Sequence, residues 1–390
     1  MSSLGITPFQ HIGKLFEKPV VHPANILPEP SVTQYFYESV PYHGKTTRVY
    51  ACCSLPEGAS PEHPVPGIVL VHGGGGTAFY DWVKVWNQRG YAAISMDTCG
   101  KVPCWAPCSY CYPWPAHEFA GPAGYGQMVE AELPPEEQWV YHAVCAVIAG
   151  HSLLRSLPGV DPNRIGITGI SWGGMLTCVT AGLDDRFRFA IPVYGCGFFH
   201  EKSSALCRET TRDENLIDKW FSLWDPGIYL ANAKMPFLFL SGTNDFAFPV
   251  DAQKKSFETV PAQCKRMCLI PAYPHDHTVC RSEETIYNFA ESALNGTELP
   301  SLSETVCKDA VFSCSFSAAG RKIRKAEFCW TRAEGYWQDR RWNISPAKIG
   351  NGILSSEMQA PALPEGITAA YFMIEDSEGC RWSSSPVILK

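Results

Sequence analysis

The stretch GITGISWGGMLTCVTAG (Gly166–Gly182) joins a run typical of a buried β-strand to a run typical of an α-helix. Ser171 lies at the junction, and Gly169, Gly173 and Gly174 lie within three residues of it. Because glycine has no Cβ atom, this density of glycine indicates a turn at which the backbone approaches its neighbours closely. The serine between these glycines is therefore the first residue that needs an explanation.

The segment GISWG (Gly169–Gly173) matches the G-x-S-x-G nucleophile elbow, whose turn strains the serine backbone and lifts the hydroxyl above the carboxyl edge of a sheet. The match alone is modest evidence, but a predicted strand precedes it and a predicted helix follows it. Ser171 also lies at a helix N-terminus, where backbone N–H groups favour developing negative charge. Ser171 is therefore the candidate nucleophile, and the alternative is a glycine-rich crossing with an incidental serine.

The segments around this stretch alternate between strand and helix patterns from about Gly67 to Leu294. Such alternation predicts an α/β fold with a mainly parallel sheet covered by helices on both faces. The stretches VTQYFYESV and TTRVYACCSL flank PYHGK and predict an antiparallel hairpin before it. After Pro300, short alternating stretches predict a small all-β, immunoglobulin-like sandwich. We therefore predict an α/β domain over residues 1–299 and a C-terminal β domain over residues 300–390.

The composition excludes several classes of protein. The chain has 390 residues, is 45% hydrophobic and 18% charged, and carries a formal net charge of −7, so it can form a large core. An acidic chain without a visible basic face gives nucleic-acid binding little support. No apolar run is long enough to span a bilayer, and the N-terminus does not resemble a signal peptide. We expect a soluble cytoplasmic protein without nucleic-acid or membrane partners.

The chain contains 17 cysteines, of which Cys99, Cys104, Cys108 and Cys111 fall within CGKVPCWAPCSYC. Structural zinc sites usually combine two separated C-x-x-C pairs, and only Cys108 and Cys111 have that spacing here. In a large chain of this kind, free thiols are favoured over a metal site and over disulfides. We expect no metal and no cofactor.

In a fold with a nucleophile elbow, the acid and the histidine follow the serine in chain order. Asp245 lies just past the buried strand FLFLSG and is the candidate acid, while Asp251, which more readily opens the following helix, is the fallback. The loop after the next strand, IPAYPHDHTVC, offers His275 and His277. We favour His277 as the general base, because it lies further along the loop, and His275 is the alternative.

The oxyanion of an acyl-transfer reaction needs N–H donors, and the chain offers them in two places. The first expected donor is the backbone N–H of Trp172, directly after the serine. The second is expected from the HGGGG loop after the first parallel strand, from Gly74 or Gly75. We interpret His72 as a residue that orders this loop and not as a catalyst.

Two long loops, Thr98–Gly126 and Gly197–Trp224, flank the same edge and are expected to form the pocket. They carry aromatic residues that suit a sugar face or an aromatic ester and suit plain packing equally well: Trp105, Trp114, Phe198, Phe199, Trp220 and Trp224. A second aromatic cluster lies in the C-terminal domain: Trp330, Tyr336, Trp337 and Trp342. We expect that cluster to pack against the α/β domain, so that the C-terminal domain braces it and helps to shape a pocket rim or a homodimer.

From about Val32 to Leu294 the chain resembles the α/β-hydrolase superfamily, and most closely its dienelactone-hydrolase and acetyl-xylan-esterase-like branch. The resemblance rests on VHGGGG, GISWGG, GTNDFAFPVD and PHDH. It implies an α/β-hydrolase fold and a Ser171–His277–Asp245 triad that acts on an ester. Dienelactone hydrolases carry cysteine as the nucleophile, so the serine argues against dienelactone as the substrate.

The expected function is a serine carboxylic ester hydrolase that forms an acyl-enzyme. Its substrate is expected to be a small-molecule or carbohydrate ester, and a carbohydrate acetyl esterase is one form of this prediction. A serine peptidase of the oligopeptidase type is the first alternative. A non-catalytic protein that uses the same fold for binding is the second, because a fold does not by itself give a function.

Overall fold

The computed structural model describes residues 8–104, 114–124, 128–200, 204, 211, 213–309, 311–350, 353–356 and 366–389. Within them, the central sheet is formed by β1 (Val21–Pro23), β2 (Thr33–Glu38), β3 (Arg48–Ser54), β4 (Val65–Val71), β5 (Ala92–Met96), β6 (Val160–Ile170), β7 (Ala190–Val193), β8 (Phe237–Gly242) and β9 (Lys265–Ile270). The strand order is β1-β2-β3-β5-β4-β6-β7-β8-β9. All pairs from β5 to β9 are parallel, and those of β1, β2 and β3 are antiparallel. This order confirms the predicted mainly parallel sheet and the predicted hairpin.

The helices lie between these strands. They are α1 (Tyr80–Asn87), α2 (Trp139–Arg155), α3 (Trp172–Ala181), α4 (Glu214–Trp224), α5 (Pro226–Leu230), α6 (Val250–Thr259), α7 (His277–Cys280) and α8 (Glu284–Asn295), with short 3₁₀ turns at Gly13–Phe16, Met128–Glu132, Pro135–Glu137 and Trp337–Asp339. None of the helices in the described ranges is long and apolar enough to cross a bilayer.

Helix α4 differs from the prediction, which treated residues 197–224 as one long loop. The side chain of Asp213 accepts hydrogen bonds from the backbone N–H groups of Asn215 and Leu216 and so caps the helix N-terminus. The buried residues Trp220, Phe221 and Trp224 lie on one face of the helix. An N-cap and an apolar face together stabilise a helix within the segment that was expected to be a loop.

Helix α2 is buried on every side. Every residue of this helix except Arg155 is buried. On one side the Tyr37 hydroxyl donates to the carbonyl of Ala146 at 2.7 Å. On another, the Ser152 hydroxyl donates to the carbonyl of Leu15 at 2.6 Å, so the N-terminal segment covers the face that would otherwise meet solvent.

The C-terminal residues form a second group of strands. These are β10 (Ser301–Leu302), β11 (Val306–Lys308), β12 (Val311–Ser317), β13 (Ile323–Thr331), β14 (Asn343–Gly350), β15 (Ile353–Ser356), β16 (Ala369–Asp376), β17 (Arg381–Ser383) and β18 (Val387–Ile388), paired antiparallel. Strand β14 pairs with both β13 and β15, and the rings of Phe312, Phe328 and Phe372 pack in the core that the strands enclose.

This C-terminal group continues the central sheet. Ser383 of β17 pairs antiparallel with Met267 of β9, and the Ser383 hydroxyl accepts a hydrogen bond from the Leu269 N–H at 3.0 Å. Strand β9 would otherwise be an open edge of the central sheet, which is a surface prone to unwanted strand pairing. The C-terminal strands cover it.

The glycines around Ser171 allow four elements to meet. A Cβ atom at Gly169 would lie 2.1 Å from the carbonyl oxygen of Gly173, and a Cβ atom at Gly173 would lie 2.1 Å from that of Val71. Similarly, a Cβ atom at Gly195, after β7, would lie 2.2 Å from the carbonyl carbon of Gly174. Strand β6, helix α3 and the ends of β4 and β7 are therefore in backbone contact at the turn.

These contacts predict that Gly169→Ala destabilises the protein. The new methyl group has backbone on both sides and cannot be accommodated by a side-chain rotation, so a loss of about 1–3 kcal/mol or more in the free energy of unfolding is expected. Thermal unfolding measures the change. Gly13→Ala is the matched control, because no atom lies within 4 Å of its Cβ position. Equal melting temperatures for the two variants would contradict the close packing of the turn.

Candidate active site

Ser171 occupies a strained turn between β6 and α3. Its backbone angles are φ +59° and ψ −121°, a region that non-glycine residues rarely adopt. The Ser171 N–H donates to the carbonyl of Val193 at 2.9 Å, and its carbonyl accepts from the Met175 N–H at 3.0 Å. The side chain is half-buried. The backbone is thus held on both sides in the geometry that raises a serine hydroxyl from the end of a strand.

Backbone strain concentrates at this edge of the sheet. Tyr194 directly follows β7 with φ +48°, and Ala272 follows β9 by two residues with φ +51°. Together with Ser171, they place a left-handed residue after three of the four strands from β6 to β9. Residues held in such conformations persist only where the surrounding structure enforces them, and they cluster at functional sites. The carboxyl ends of these strands therefore mark the candidate site.

Asp245 lies three residues after β8 and its carboxylate is buried and fully engaged. Its Oδ1 atom accepts hydrogen bonds from the N–H groups of Ala247 (2.9 Å) and Phe248 (2.8 Å). Its Oδ2 atom lies 2.7 Å from Nδ1 of His275. Since an ionised carboxylate only accepts hydrogen bonds, Nδ1 carries the proton and Nε2 of the neutral ring is left as an acceptor. This is the tautomer that a general base requires.

The ring of His275 is held between two aromatic side chains. It stacks on Tyr194 with ring centroids 4.7 Å apart and contacts Phe246 at 5.0 Å. The Tyr194 hydroxyl donates to the carbonyl of Asp276 at 3.2 Å, which ties the stacking partner to the same loop. The His275 side chain is 18% exposed, so the ring is fixed and still accessible.

The carboxylate of Asp245 pairs with His275, the alternative to His277 in the sequence analysis. The chain turns at Asp276, whose side chain accepts from the N–H groups of Thr278 and Val279 and caps α7. His277 is the first residue of that helix, and its ring lies against Phe79, at 5.3 Å between centroids. Position along the loop does not reveal which of the two rings meets Asp245.

His277 has a different place in the site. Its Nε2 atom accepts a hydrogen bond from the Gly73 N–H at 3.3 Å, so the ring supports the glycine loop. Burial, and next the charge of Arg281, hold the pKa of His277 well below its ordinary value. Its Nδ1 atom has no hydrogen-bond partner within the described part of the chain. The ring is therefore a neutral acceptor toward the loop.

Hydrogen bonds hold the glycine loop, residues 72–76 after β4, at several points. Nδ1 of His72 lies 2.7 Å from the carbonyl of Gly73, and its Nε2 accepts from the Thr98 N–H at 2.9 Å. Burial lowers the pKa of His72 to about 4, so the ring is neutral, with the proton on Nδ1. The Trp114 indole donates to the carbonyl of Gly75 at 2.8 Å. These bonds confirm the interpretation of His72 as the residue that orders the loop.

The loop from which the second oxyanion donor is expected approaches Ser171 closely. A Cβ atom at Gly73 would lie 3.0 Å from Cβ of Ser171, which shows how closely the loop approaches the serine. Among the described residues, the N–H groups of Gly74, Gly75 and Trp172 have no hydrogen-bond acceptor. The stabilisation of an oxyanion requires unpartnered N–H groups, so these three remain the expected donors.

The side chain of Trp172 is buried in an aromatic cluster beneath the turn. Its ring makes edge-to-face contacts with four neighbours, with centroids 5.9–6.5 Å apart: Trp139, Phe199, Trp220 and Phe248. The cluster also includes Phe248, one of the two residues whose N–H groups bind the Asp245 carboxylate. The packing of these rings therefore orients both the Trp172 N–H and the Asp245 loop.

Other predicted residues lie apart from this centre. Asp251 is in the first turn of α6, and its carboxylate accepts from the Ala252 N–H at 3.0 Å. Cys99 and Cys104 carry free thiols, and burial raises the pKa of Cys99 to about 12. Trp105, Cys108 and Cys111 lie outside the described residues. Within those residues, no group of three or more side chains is arranged to hold a metal ion.

The sequence profile of the acetyl xylan esterase (AXE1) family matches residues 29–226, half of the chain. The chain belongs to this family. The membership confirms the resemblance found in the motifs and supports a carboxylic ester hydrolase. A second profile, that of the PhoPQ-activated pathogenicity-related protein, matches residues 206–335, which include Asp245, His275 and part of the C-terminal strands.

Three individual proteins that resemble this chain share 25% or less of its sequence. The uncharacterized peptidase YuxL of Bacillus subtilis is 25% identical over 234 residues, which are 57% of this chain and 32% of YuxL, so the chain spans about a third of that relative. The acetyl xylan esterase of Paenibacillus sp. R4 superimposes with a TM-score of 0.57 at 20% identity, and acetyl xylan esterase 1 of Thermoanaerobacterium sp. JW/SL YS485 with 0.54 at 14%. Each superposition covers 72% of this chain and 92% of the other, which confirms the α/β-hydrolase fold.

The buried neutral histidines predict that acid destabilises the protein. Burial lowers the pKa to about 4 in four of them: His72, His117, His142 and His151. In the unfolded chain they titrate near 6.5, so between about pH 6.5 and 4 the unfolded state binds more protons and the free energy of unfolding falls as the pH falls. Burial raises the pKa of Asp97 to about 7. This one carboxyl group takes up its proton in the folded state first and so acts against the loss of stability in acid.

The melting temperature is therefore expected to fall between pH 7 and pH 5. His117→Phe removes one of the four histidines and should make the fall less steep, because the unfolded chain then gains one proton fewer. A melting temperature that stays constant or rises toward pH 5 would show that these histidines are not neutral in the folded protein.

Proposed function

We propose that the protein is a serine carboxylic ester hydrolase in which Ser171 is the nucleophile, His275 the general base and Asp245 the acid that orients the base. The observation that carries the proposal is the strained backbone of Ser171, φ +59° and ψ −121°, at the start of α3. Such strain has a cost of about 1–3 kcal/mol and persists where the geometry serves a function. The Asp245–His275 pair at the ends of β8 and β9 supplies the base that a serine hydroxyl needs.

The proposed reaction begins with proton transfer from the Ser171 hydroxyl to Nε2 of His275. The serine oxygen bonds to the carbonyl carbon of the ester, and the electron pair of the carbonyl moves onto its oxygen. The N–H groups of Trp172 and of Gly74 or Gly75 stabilise this oxyanion. The carbonyl then re-forms, and the alcohol leaves with the proton that His275 held.

The second half of the reaction restores the enzyme. Water gives a proton to His275 and its oxygen attacks the acyl-enzyme, which forms a second oxyanion at the same N–H groups. Collapse of this intermediate breaks the bond to Ser171, releases the carboxylic acid and returns the proton to the serine. The carboxylate of Asp245 remains ionised and stabilises the imidazolium in both halves.

We propose an acetyl ester as the substrate class, with a carbohydrate as one candidate alcohol. The family is named for acetyl xylan esterase, and the Trp172 ring, next to Ser171 in sequence, packs against Phe199 and Trp220, which favours a small acyl group. The similarity to YuxL, which is named as a peptidase, makes amide hydrolysis the second candidate. Serine hydrolases of both kinds use the same triad chemistry, so the substrate has to be established by assay.

The proposed triad predicts how strongly each of four substitutions lowers kcat. Ser171→Ala and His275→Ala should each lower kcat on a small acetyl ester by roughly 10⁴–10⁶-fold, because the members of a triad act as a unit. His277→Ala removes the acceptor for the Gly73 N–H and should cost at most roughly 10²-fold, the effect of disturbing one oxyanion donor. His63→Ala, in an exposed turn, is the control and should behave as wild type.

Steady-state kinetics on purified variants with matched melting temperatures measure this order. Near wild-type hydrolysis by Ser171→Ala would contradict the whole proposal. A larger loss in His277→Ala than in His275→Ala would restore His277 as the base and reject the assignment made here.

A substrate panel tests the choice between ester and amide. We expect kcat/KM to be highest for p-nitrophenyl acetate and acetylated sugars, to fall as the acyl chain lengthens from acetyl to octanoyl, and to be much lower for peptide p-nitroanilides. The physical reason is the aromatic packing around Trp172, the residue after Ser171. Preference for a p-nitroanilide over the acetate would identify a peptidase, and preference for octanoyl esters would contradict the small acyl site.

A further inference from the structure

The residue before the proposed acid, Asn244, makes a contact that the triad does not account for. Its Nδ2 amide donates to the carbonyl oxygens of Arg340 at 2.7 Å and Gln338 at 3.1 Å, and lies 3.5 Å from that of Trp337. These acceptors belong to the C-terminal domain, more than 90 residues away along the chain. A single side chain at the candidate site is thus bound by a turn of the other domain.

The Asn244 side chain is also linked, through Thr243, to the loop that carries His275. The Asn244 Oδ1 atom accepts a hydrogen bond from the Thr243 hydroxyl at 2.7 Å. The oxygen of that hydroxyl in turn accepts from the N–H of Ala272, the strained residue after β9, at 3.1 Å. One connected set of hydrogen bonds therefore joins the Asp245 loop, the His275 loop and the C-terminal turn.

The turn that receives Asn244 is itself rigid. Residues Trp337–Asp339 form a 3₁₀ turn, and the Trp337 side chain is only 3% exposed. The Arg340 guanidinium lies 3.6 Å from the centroid of the Trp337 ring, and the Thr331 hydroxyl donates to the carbonyl of Arg341 at 2.8 Å. A buried indole with a cation over its face resists displacement. The carbonyl oxygens are therefore fixed acceptors.

The C-terminal domain is fixed relative to the sheet by contacts elsewhere. Besides the pairing of β17 with β9, Arg381 forms an ion pair with Glu283, and its guanidinium lies over the ring of Tyr273. Lys254 of α6 bonds to Glu304 at 2.5 Å. The turn is therefore held in place independently of Asn244.

We infer that the Trp337–Arg340 turn of the C-terminal domain is a positioning element for catalysis, and that it acts through Asn244 on the Asp245–His275 pair. Asn244 is a positioning residue, because it contacts neither the serine nor the reacting atoms. This inference rests on the proposed function, since it requires Asp245 and His275 to be the acid and the base. It gives the C-terminal domain a role in the reaction besides covering the edge of the sheet.

The test uses the full-length protein with Asn244→Ala, and with Asn244→Asp as a second variant of nearly unchanged size. Alanine has no side-chain donor, and a carboxylate cannot donate to the three carbonyl oxygens. Both variants therefore lose the hydrogen bonds between residue 244 and the C-terminal turn. Asn288→Ala is the matched control, because the Asn288 side chain also accepts a bond across the domains, from Arg321 at 3.2 Å, but lies in α8 away from both loops. Folded protein is counted by titration with a fluorophosphonate.

We expect both Asn244 variants to lower kcat per titrated site by about 10- to 100-fold with KM within about twofold, the scale of a displacement of about 1 Å in a catalytic group. The rate of fluorophosphonate labelling should fall in parallel, while Asn288→Ala keeps the wild-type kcat. A merely structural contact would lower the melting temperature or the titrated fraction and leave kcat per site unchanged, which would overturn the inference. An equal loss of kcat in Asn288→Ala would overturn it as well.

The outcome separates this inference from the proposed function. If wild-type protein is not labelled at Ser171 by the fluorophosphonate, the proposed function fails. If wild type is labelled at Ser171 and the Asn244 variants are labelled at the same rate, the triad stands and only the positioning role fails.

Discussion

The close backbone contact at the turn between β6 and α3 is the constraint on which the site depends. Gly169 and Gly173 let the strand, the helix and the end of β4 approach to distances that a Cβ atom would forbid. This contact leaves Ser171 in a conformation with positive φ and places it beside the glycine loop that follows β4. The same packing therefore places the serine at a helix N-terminus and beside the loop from which an oxyanion donor is expected.

The remaining groups are held by bonds from several directions. Asp245 is bound by two backbone N–H groups as well as by His275, and the loop after β4 is bound through His72 and His277. Charges that develop in a reaction are stabilised best by groups that need not reorganise. The buried aromatic rings around Trp172 and the C-terminal turn at Asn244 both support this preorganisation.

The sequence was sufficient for the parts of the fold that depend on local pattern. The strand–helix alternation, the hairpin of β2 and β3 and the turn at Ser171 all follow from periodicity and glycine placement. Which of His275 and His277 meets Asp245 could not follow from local pattern, because Asp276 caps α7 and makes His277 the first residue of that helix. The burial of α2 on all faces and the contact between Asn244 and Arg340 depend on segments distant in sequence, which no local pattern records.

A crystal structure of the protein after reaction with a small alkyl fluorophosphonate tests the central claim most directly. The account predicts a covalent bond between phosphorus and the Ser171 oxygen. The phosphoryl oxygen should lie within hydrogen-bond distance of the N–H groups of Trp172 and of Gly74 or Gly75, with the ring of His275, bound to Asp245, next to the serine oxygen. An adduct on another residue, or one in which the ring beside the serine oxygen belongs to His277, would contradict it.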